Sequence, residues 1–189
     1  FAIASDAGAV VWDGTTAARR FEIPPPGGLR RRITIDAASN SVFVTGFAPG
    51  VTQHSLRDGT RIAQFASEGF AWNTVVIDGK LYAGFDDASV VEYDIGAGTM
   101  IRSLGSFGGD VHSLADAGNG LLWVGAGNRT LSLVDRQTRA VLVRTDIPTE
   151  AVFLVAHGSD AAAIAGLSGS LAFTQVARDA VELSRLELE

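Results

Sequence analysis

The stretch that decides the fold runs Val111-His112-Ser113-Leu114-Ala115-Asp116, Gly118-Asn119-Gly120, Leu121-Leu122-Trp123-Val124-Gly125, Leu131-Ser132-Leu133-Val134-Asp135-Arg136-Gln137-Thr138 and Ala140-Val141-Leu142-Val143-Arg144. It reads as four short apolar strands set off by polar turns. Asn119-Gly120 supplies the positive φ angles that a tight hairpin needs. Asp135 opens a second turn, where its carboxylate can accept amide hydrogens.

The same unit recurs along the whole chain. Gly46, Gly84, Gly125 and Gly166 are spaced by 38, 41 and 41 residues, and one further step back reaches Ser5. Ile3, Val44, Tyr82, Trp123 and Ile164 stand two positions before these five. Upstream strands repeat as Arg32–Asp36, Asn73–Asp78, Val111–Asp116 and Val152–Ala156. Their hairpin turns are Ala38-Ser39-Asn40, Asp78-Gly79, Gly118-Asn119-Gly120 and His157-Gly158-Ser159-Asp160. Third strands with their turns are Ala9–Thr16, Val51–Thr60, Val90–Thr99 and Leu131–Thr138, with a degenerate Leu171–Asp179. Fourth strands include Arg61–Phe65, Met100–Leu104 and Ala140–Arg144. Only the C-terminal VELSRLELE patterns equally as strand or helix.

Four antiparallel strands repeated every ~40 residues form a β-propeller blade. A single such sheet cannot bury both faces, and stacking blades does. The expected fold is therefore all-β, a β-propeller of four-stranded antiparallel blades. The expected blades are 1–24 (partial), 32–65, 72–105, 111–145 and 151–187. That makes about four and three-quarter blades and nineteen strands, within a larger ring of about seven or eight. The chain opens on Phe1 and its only methionine is Met100, which points the same way.

Composition excludes several function classes. The 189 residues contain no cysteine, so disulfides, Cys-ligated zinc and a Cys nucleophile are out. Net charge is −6, against the basic face of a nucleic-acid-binding domain. No apolar run approaches the ~20 residues of a spanning helix. The three histidines, His54, His112 and His157, lie in different repeats without metal-ligand spacing, so a metal is not expected. No nucleophile elbow, phosphate-binding loop or dinucleotide fingerprint is present.

The third-strand ends resemble WD repeats. Val11-Trp12-Asp13 carries the Trp-Asp pair, Glu92-Tyr93-Asp94 places Tyr there, and Leu133-Val134-Asp135 places Val. The Gly-His dipeptide of strong WD repeats is missing. The same turns also resemble quinoprotein-like and YVTN-type propellers. Quinone-dependent members add a Trp after the turn. Here the fourth strands offer Phe21, Phe65, Leu104, Val143 and Leu183, so no quinone or other cofactor is expected. Compartment stays open, with the WD resemblance leaning to the cytoplasm.

The expected function is a non-catalytic scaffold that binds a protein or peptide partner through one face. The remaining blades of the same protein are the other expected partner. The alternatives are part of a propeller enzyme (hydrolase, lyase or quinoprotein-like oxidoreductase) completed by further blades, or a propeller accompanying a separate catalytic domain. Candidate contacts are Arg30, Arg31, Phe47, Phe85, Asp86, Asp87, Asn128 and Arg129. Arg30-Arg31-Arg32 is the only basic cluster, and it follows the long Pro24–Leu29 loop. Phe47, Phe70, Phe85 and Phe107 fall in or beside loops assigned to one face, where each is expected either to join an exposed binding patch or to plug the space between blades. Asp13, Asp94 and Asp135 are expected to serve their turns. No catalytic residue is assigned.

Overall fold

The computed structural model describes residues 1–5, 8–24, 30–150, 153–166, 171–177 and 180–186. Every helix or strand among them is a strand, so none of the described residues forms a helix long and apolar enough to cross a membrane. Strands β1 (Ala2–Ser5), β2 (Gly8–Trp12) and β3 (Arg19–Ile23) make a three-stranded sheet. A seven-stranded sheet follows, in sequential order: β4 (Arg30–Asp36), β5 (Ser41–Gly46), β6 (Pro49–Ser55), β7 (Arg61–Ile77), β8 (Lys80–Phe85), β9 (Ser89–Asp94) and β10 (Thr99–Ser106). The next sheet contains β11 (Val111–Gly118), β12 (Leu121–Ala126), β13 (Thr130–Asp135) and β14 (Val141–Asp146). The last contains β15 (Phe153–His157), β16 (Ala161–Ala165), β17 (Leu171–Ala177) and β18 (Ala180–Leu186). In each sheet neighbours in sequence are neighbours in space, the meander that the repeat predicts. The ambiguous C-terminal stretch is strand through Leu186.

Eighteen strands are described where nineteen are expected, because β7 is a single 17-residue element. It contains both the fourth strand Arg61–Phe65 and the following first strand. It is not uniform, since Pro49 and Gly50 both face Phe70, and Val51 then pairs with Phe65. Residues 66–69 therefore leave the ladder as a bulge.

The chain divides into two compact units, Phe1–Ala83 with Val91–Arg102, and Gly84–Val90 with Ser103–Glu189. In the first, Ala9, Val11 and Ile23 pack on Val42 and Val44. Phe65 bridges Phe43 and Tyr93, with ring centroids 6.0 and 5.4 Å away. Phe1 stacks on Trp12 at 5.3 Å. In the second, the sheet of Trp123, Leu131 and Leu133 packs against that of Ala162, Ile164 and Ala172. The inner strands are apolar on both faces, as face-to-face stacking demands.

The Gly column marks close approach between neighbouring segments. A Cβ on Gly84 would come within 2.8 Å of Val111 Cβ and 2.9 Å of its carbonyl oxygen. One on Gly166 would come within 2.7 Å of Thr149 Cβ. Any side chain there would push the adjoining segment away.

Candidate functional site

The third-strand turns are built alike. Asp13 N donates to Ala18 O at 2.8 Å, and Asp135 N to Ala140 O at 2.9 Å. Ser55 takes the place of Asp in one turn, donating to Thr60 O at 2.8 Å. The chain turns back at Ala17, Gly59, Gly98 and Arg139, with φ of 55°, 78°, 68° and 67°. Asp13 Oδ1 accepts from the amides of Thr15 and Thr16, both at 2.9 Å. Asp135 Oδ1 accepts from Gln137 and Thr138, both at 2.8 Å. Asp94 Oδ1 accepts from Ala97 N at 2.9 Å, while its Oδ2 takes Lys80 Nζ at 2.8 Å.

These bonds favour the ionised carboxylates. Asp13 is held below its ordinary value of 3.8, chiefly by the Thr16 amide, and Asp135 chiefly by the Thr138 amide. Asp94 is lowered chiefly by its Lys80 partner, and Asp58 by the Thr60 amide. A carboxylate whose folded value lies below its unfolded value contributes stability above the unfolded value. That contribution is lost as pH falls through the folded value. Urea midpoints are therefore expected to drop as pH is lowered from about 5 to about 3. Asp135→Asn should show a shallower drop than the native chain. An identical pH profile in the variant would count against this assignment.

Two loop regions, one in each unit, contain the expected contacts. In the first, Phe47 follows β5 in an exposed loop and is 40% accessible. Its ring lies 5.1 Å from Phe70, which lies 5.4 Å from Trp72. Both pairs are tilted, at 56° and 58°, and the two partner rings are half-buried. The bulge in β7 creates this row by bringing Phe70 against Pro49 and Gly50. Gly50 has φ of +75°, and a Cβ there would strike Phe65 O, so only glycine fits. The backbone of Arg30 pairs with Gly46, the residue before Phe47, and the bulged register leaves Arg31 as the extra residue. The side chains of Arg30 and Arg31 lie outside the described residues. Desolvation lowers the half-buried Arg32 guanidinium below its ordinary value.

In the second unit, Phe107 clamps two loops. Its amide donates to Ala88 O at 2.9 Å, and its carbonyl accepts from Asn128 Nδ2 at 3.4 Å. Asn128 Oδ1 accepts from Thr130 Oγ1 at 2.8 Å. The next repeat uses the same bond, Ile147 N to Arg129 O at 2.8 Å. Ala88 and Arg129 are equivalent and share positive φ, 69° and 61°. Asp87, Asn128 and Arg129 are exposed on these fixed backbones. Asp87 Oδ1 accepts from Ser89 N at 2.9 Å, whereas Asp86 Oδ1 is buried with no hydrogen-bond donor among the described residues.

Of the two expectations for the loop aromatics, Phe85 and Phe107 follow the packed one, at 0% and 1% accessibility. Phe85 is still inside β8, where both faces are covered. Phe107 is packed under the loops that its backbone clamps. They hold the loops in place and offer no ring to solvent. Trp72 completes the Phe47 row and is not among the residues expected to make contacts.

The histidines play separate parts. His54 is buried, with Nδ1 3.1 Å from Gly59 O and Nε2 3.1 Å from Thr52 Oγ1. His112 sits between Asp110 and Glu150, whose carboxylates are 3.9 and 3.8 Å from its ring nitrogens. His157 ends β15, exposed. Among the described residues no three His, Asp or Glu converge as metal ligands.

No family model and no curated protein matches the chain. Solved structures do. A chain in the crystal structure of the mitotic checkpoint complex superposes with a TM-score of 0.82 and 14% identity. That match covers 95% of this chain and 60% of the other. The WD40 β-propeller domain of Doa1 gives 0.75 at 12% identity, covering 96% of this chain and 63% of that one. The fold is thus a WD40-like β-propeller, and the chain spans about three fifths of the length of these two structures. At such identities the likeness carries the fold and leaves function to the site.

Proposed function

We propose that this chain is a non-catalytic interaction scaffold that captures a protein or peptide through its loops. The observation that carries this reading is the Phe47–Phe70–Trp72 row, an aromatic surface open at Phe47 and set at the β7 bulge. Aromatic side chains of this kind are the usual anchors of protein interfaces. The backbone of Arg30 pairs with Gly46 at the start of this loop, and Arg31 follows it in β4. The partner segment would place an apolar side chain on the row and a carboxylate against the arginines. Asp86, Asp87, Asn128 and Arg129 would form a second contact region in the other unit, with Phe85 as its packed support. The matched chain in the mitotic checkpoint complex comes from a multi-protein assembly, which supports the same use of the fold.

The test is quantitative partner capture by mass spectrometry, with tagged protein as bait. Phe47→Ala combined with Arg30→Ala and Arg31→Ala should weaken capture at least about tenfold, as loss of anchor residues does. Far-ultraviolet circular dichroism and the urea midpoint should stay native. Asp87→Ala with Arg129→Ala reads the second region separately. Capture unchanged by both variants would overturn the reading.

A further inference from the structure

Four asparagines occur in the chain, and only Asn119 is followed by glycine. Asn119-Gly120 forms the two-residue tip of the β11–β12 hairpin, since Gly118 pairs with Leu121. Both tip residues are exposed, with φ of 52° and 80°. A Cβ built on Gly118 or Gly120 would meet nothing within 4 Å, so the tip stands in open space. The other three asparagines are hindered. Asn73 is 8% accessible, and its Oδ1 accepts from Thr74 N at 2.7 Å. Asn128 is tied through Nδ2 to Phe107 O and through Oδ1 to Thr130 Oγ1. Asn40 precedes Ser41, which is fully buried and pairs with Asp36 in the β4–β5 ladder.

We propose that Asn119 is a site of spontaneous covalent modification, its side-chain amide converted to an acid through attack by the backbone of Gly120. The Gly120 nitrogen bonds to Asn119 Cγ and gives up its proton, ammonia leaves, and a succinimide ring closes. Water then opens the ring at either carbonyl, leaving aspartate or isoaspartate. No oxidant or reductant takes part. Glycine favours the step because no Cβ obstructs the attacking nitrogen. The two φ angles are those of a type I′ turn, which holds the Gly120 nitrogen away from the Asn119 side chain. Ring closure therefore waits for the tip to open, so the rate reports local opening of the hairpin.

The isoaspartate product changes more than charge. It routes the main chain through the side-chain methylene, so the turn lengthens by one backbone atom. Gly120 O accepts from Arg136 N at 2.9 Å, tying this hairpin to the β13–β14 turn. The longer tip shifts that carbonyl and loosens the tie. None of this depends on partner capture through the loops, which uses other residues.

The experiment incubates the full natural protein in mildly alkaline buffer. Each asparagine is followed by peptide mapping with mass spectrometry that separates aspartate from isoaspartate. A free peptide of residues 113–122 runs alongside. Asn119 should convert at least about tenfold faster than any other asparagine, because it alone precedes an unobstructed glycine. It should convert at least about threefold more slowly than the free peptide, since the folded tip must open first. In the isolated isoaspartate form, the Arg136 amide should exchange hydrogen at least about tenfold faster than in the native chain. Another asparagine converting first would overturn the proposal. So would conversion at the peptide's rate, or an Arg136 amide that still exchanges at the native rate. An Asn119 intact after about a hundred peptide half-times would overturn it as well, since an exposed hairpin tip opens far more often than that.

Discussion

Trp123→Ala is expected to destabilise the chain by about 4 kcal/mol, read as a lowered urea midpoint. Trp123 lies within β12, is fully buried, and packs on Leu131, Leu133, Ala162 and Ile164. Its Nε1 also donates to Gly158 O at 3.2 Å, tying the indole to the β15–β16 hairpin turn. Truncation removes the largest side chain between two sheets and leaves a cavity. The cavity cannot collapse easily, because hydrogen-bonded ladders on both sides fix the backbones. Trp123→Phe keeps most of the volume and loses the hydrogen bond, so about 1.5 kcal/mol is expected. A loss under about 1 kcal/mol for the alanine variant would mean that this layer does not hold the two sheets together.

The features legible in the sequence are those whose cause is local. Asp13 and Asp135 bond amides two and three residues ahead, so a motif of a few letters predicts the turn. Asn40, Asp78 and Asn119 take φ of 51°, 51° and 52° at the hairpin turns where Asn and Asp are read as turn residues. Gly84 and Gly166 stand in a column because another segment passes too close for a Cβ. Each repeat carries these marks again, which is why the period is visible although the Gly-His dipeptide is absent.

The candidate site was less legible, because its cause is non-local. Phe47 and Phe85 each follow a glycine of the column, yet one is exposed and the other buried. The difference is where the strand stops. β5 ends at Gly46 and frees Phe47, whereas β8 runs through Phe85 between two covered faces. The Phe47–Phe70–Trp72 row depends on a register slip in which two residues of β6 face one of β7. Alternation alone cannot show where a bulge falls. The same bulge explains why two expected strands became one long element. Loops placed by such slips, on backbones fixed by bonds like Phe107 N to Ala88 O, can vary in sequence without moving the sheets.

Arg102→Ala is expected to cost about 3 kcal/mol, and the reason lies with Glu92. The Glu92 side chain is 7% accessible on β9, and Arg102 Nε on β10 donates to its Oε2 at 2.7 Å. Removing the guanidinium leaves a carboxylate in a buried position without that donor. The value sits at the low end for a buried pair, because Arg102 is itself 35% accessible and water can reach part of the vacated space. The double variant Glu92→Leu with Arg102→Leu removes both charges and should return to within about 1 kcal/mol of the native chain. A neutral counterpart exists in the next repeat, where Arg144 Nε donates to Ser132 Oγ at 3.2 Å. Arg144→Ala strands no charge, so about 1 kcal/mol is expected there. Equal losses for Arg102→Ala and Arg144→Ala in urea unfolding would show that packing of the arginine stems, and not the buried charge of Glu92, sets the cost.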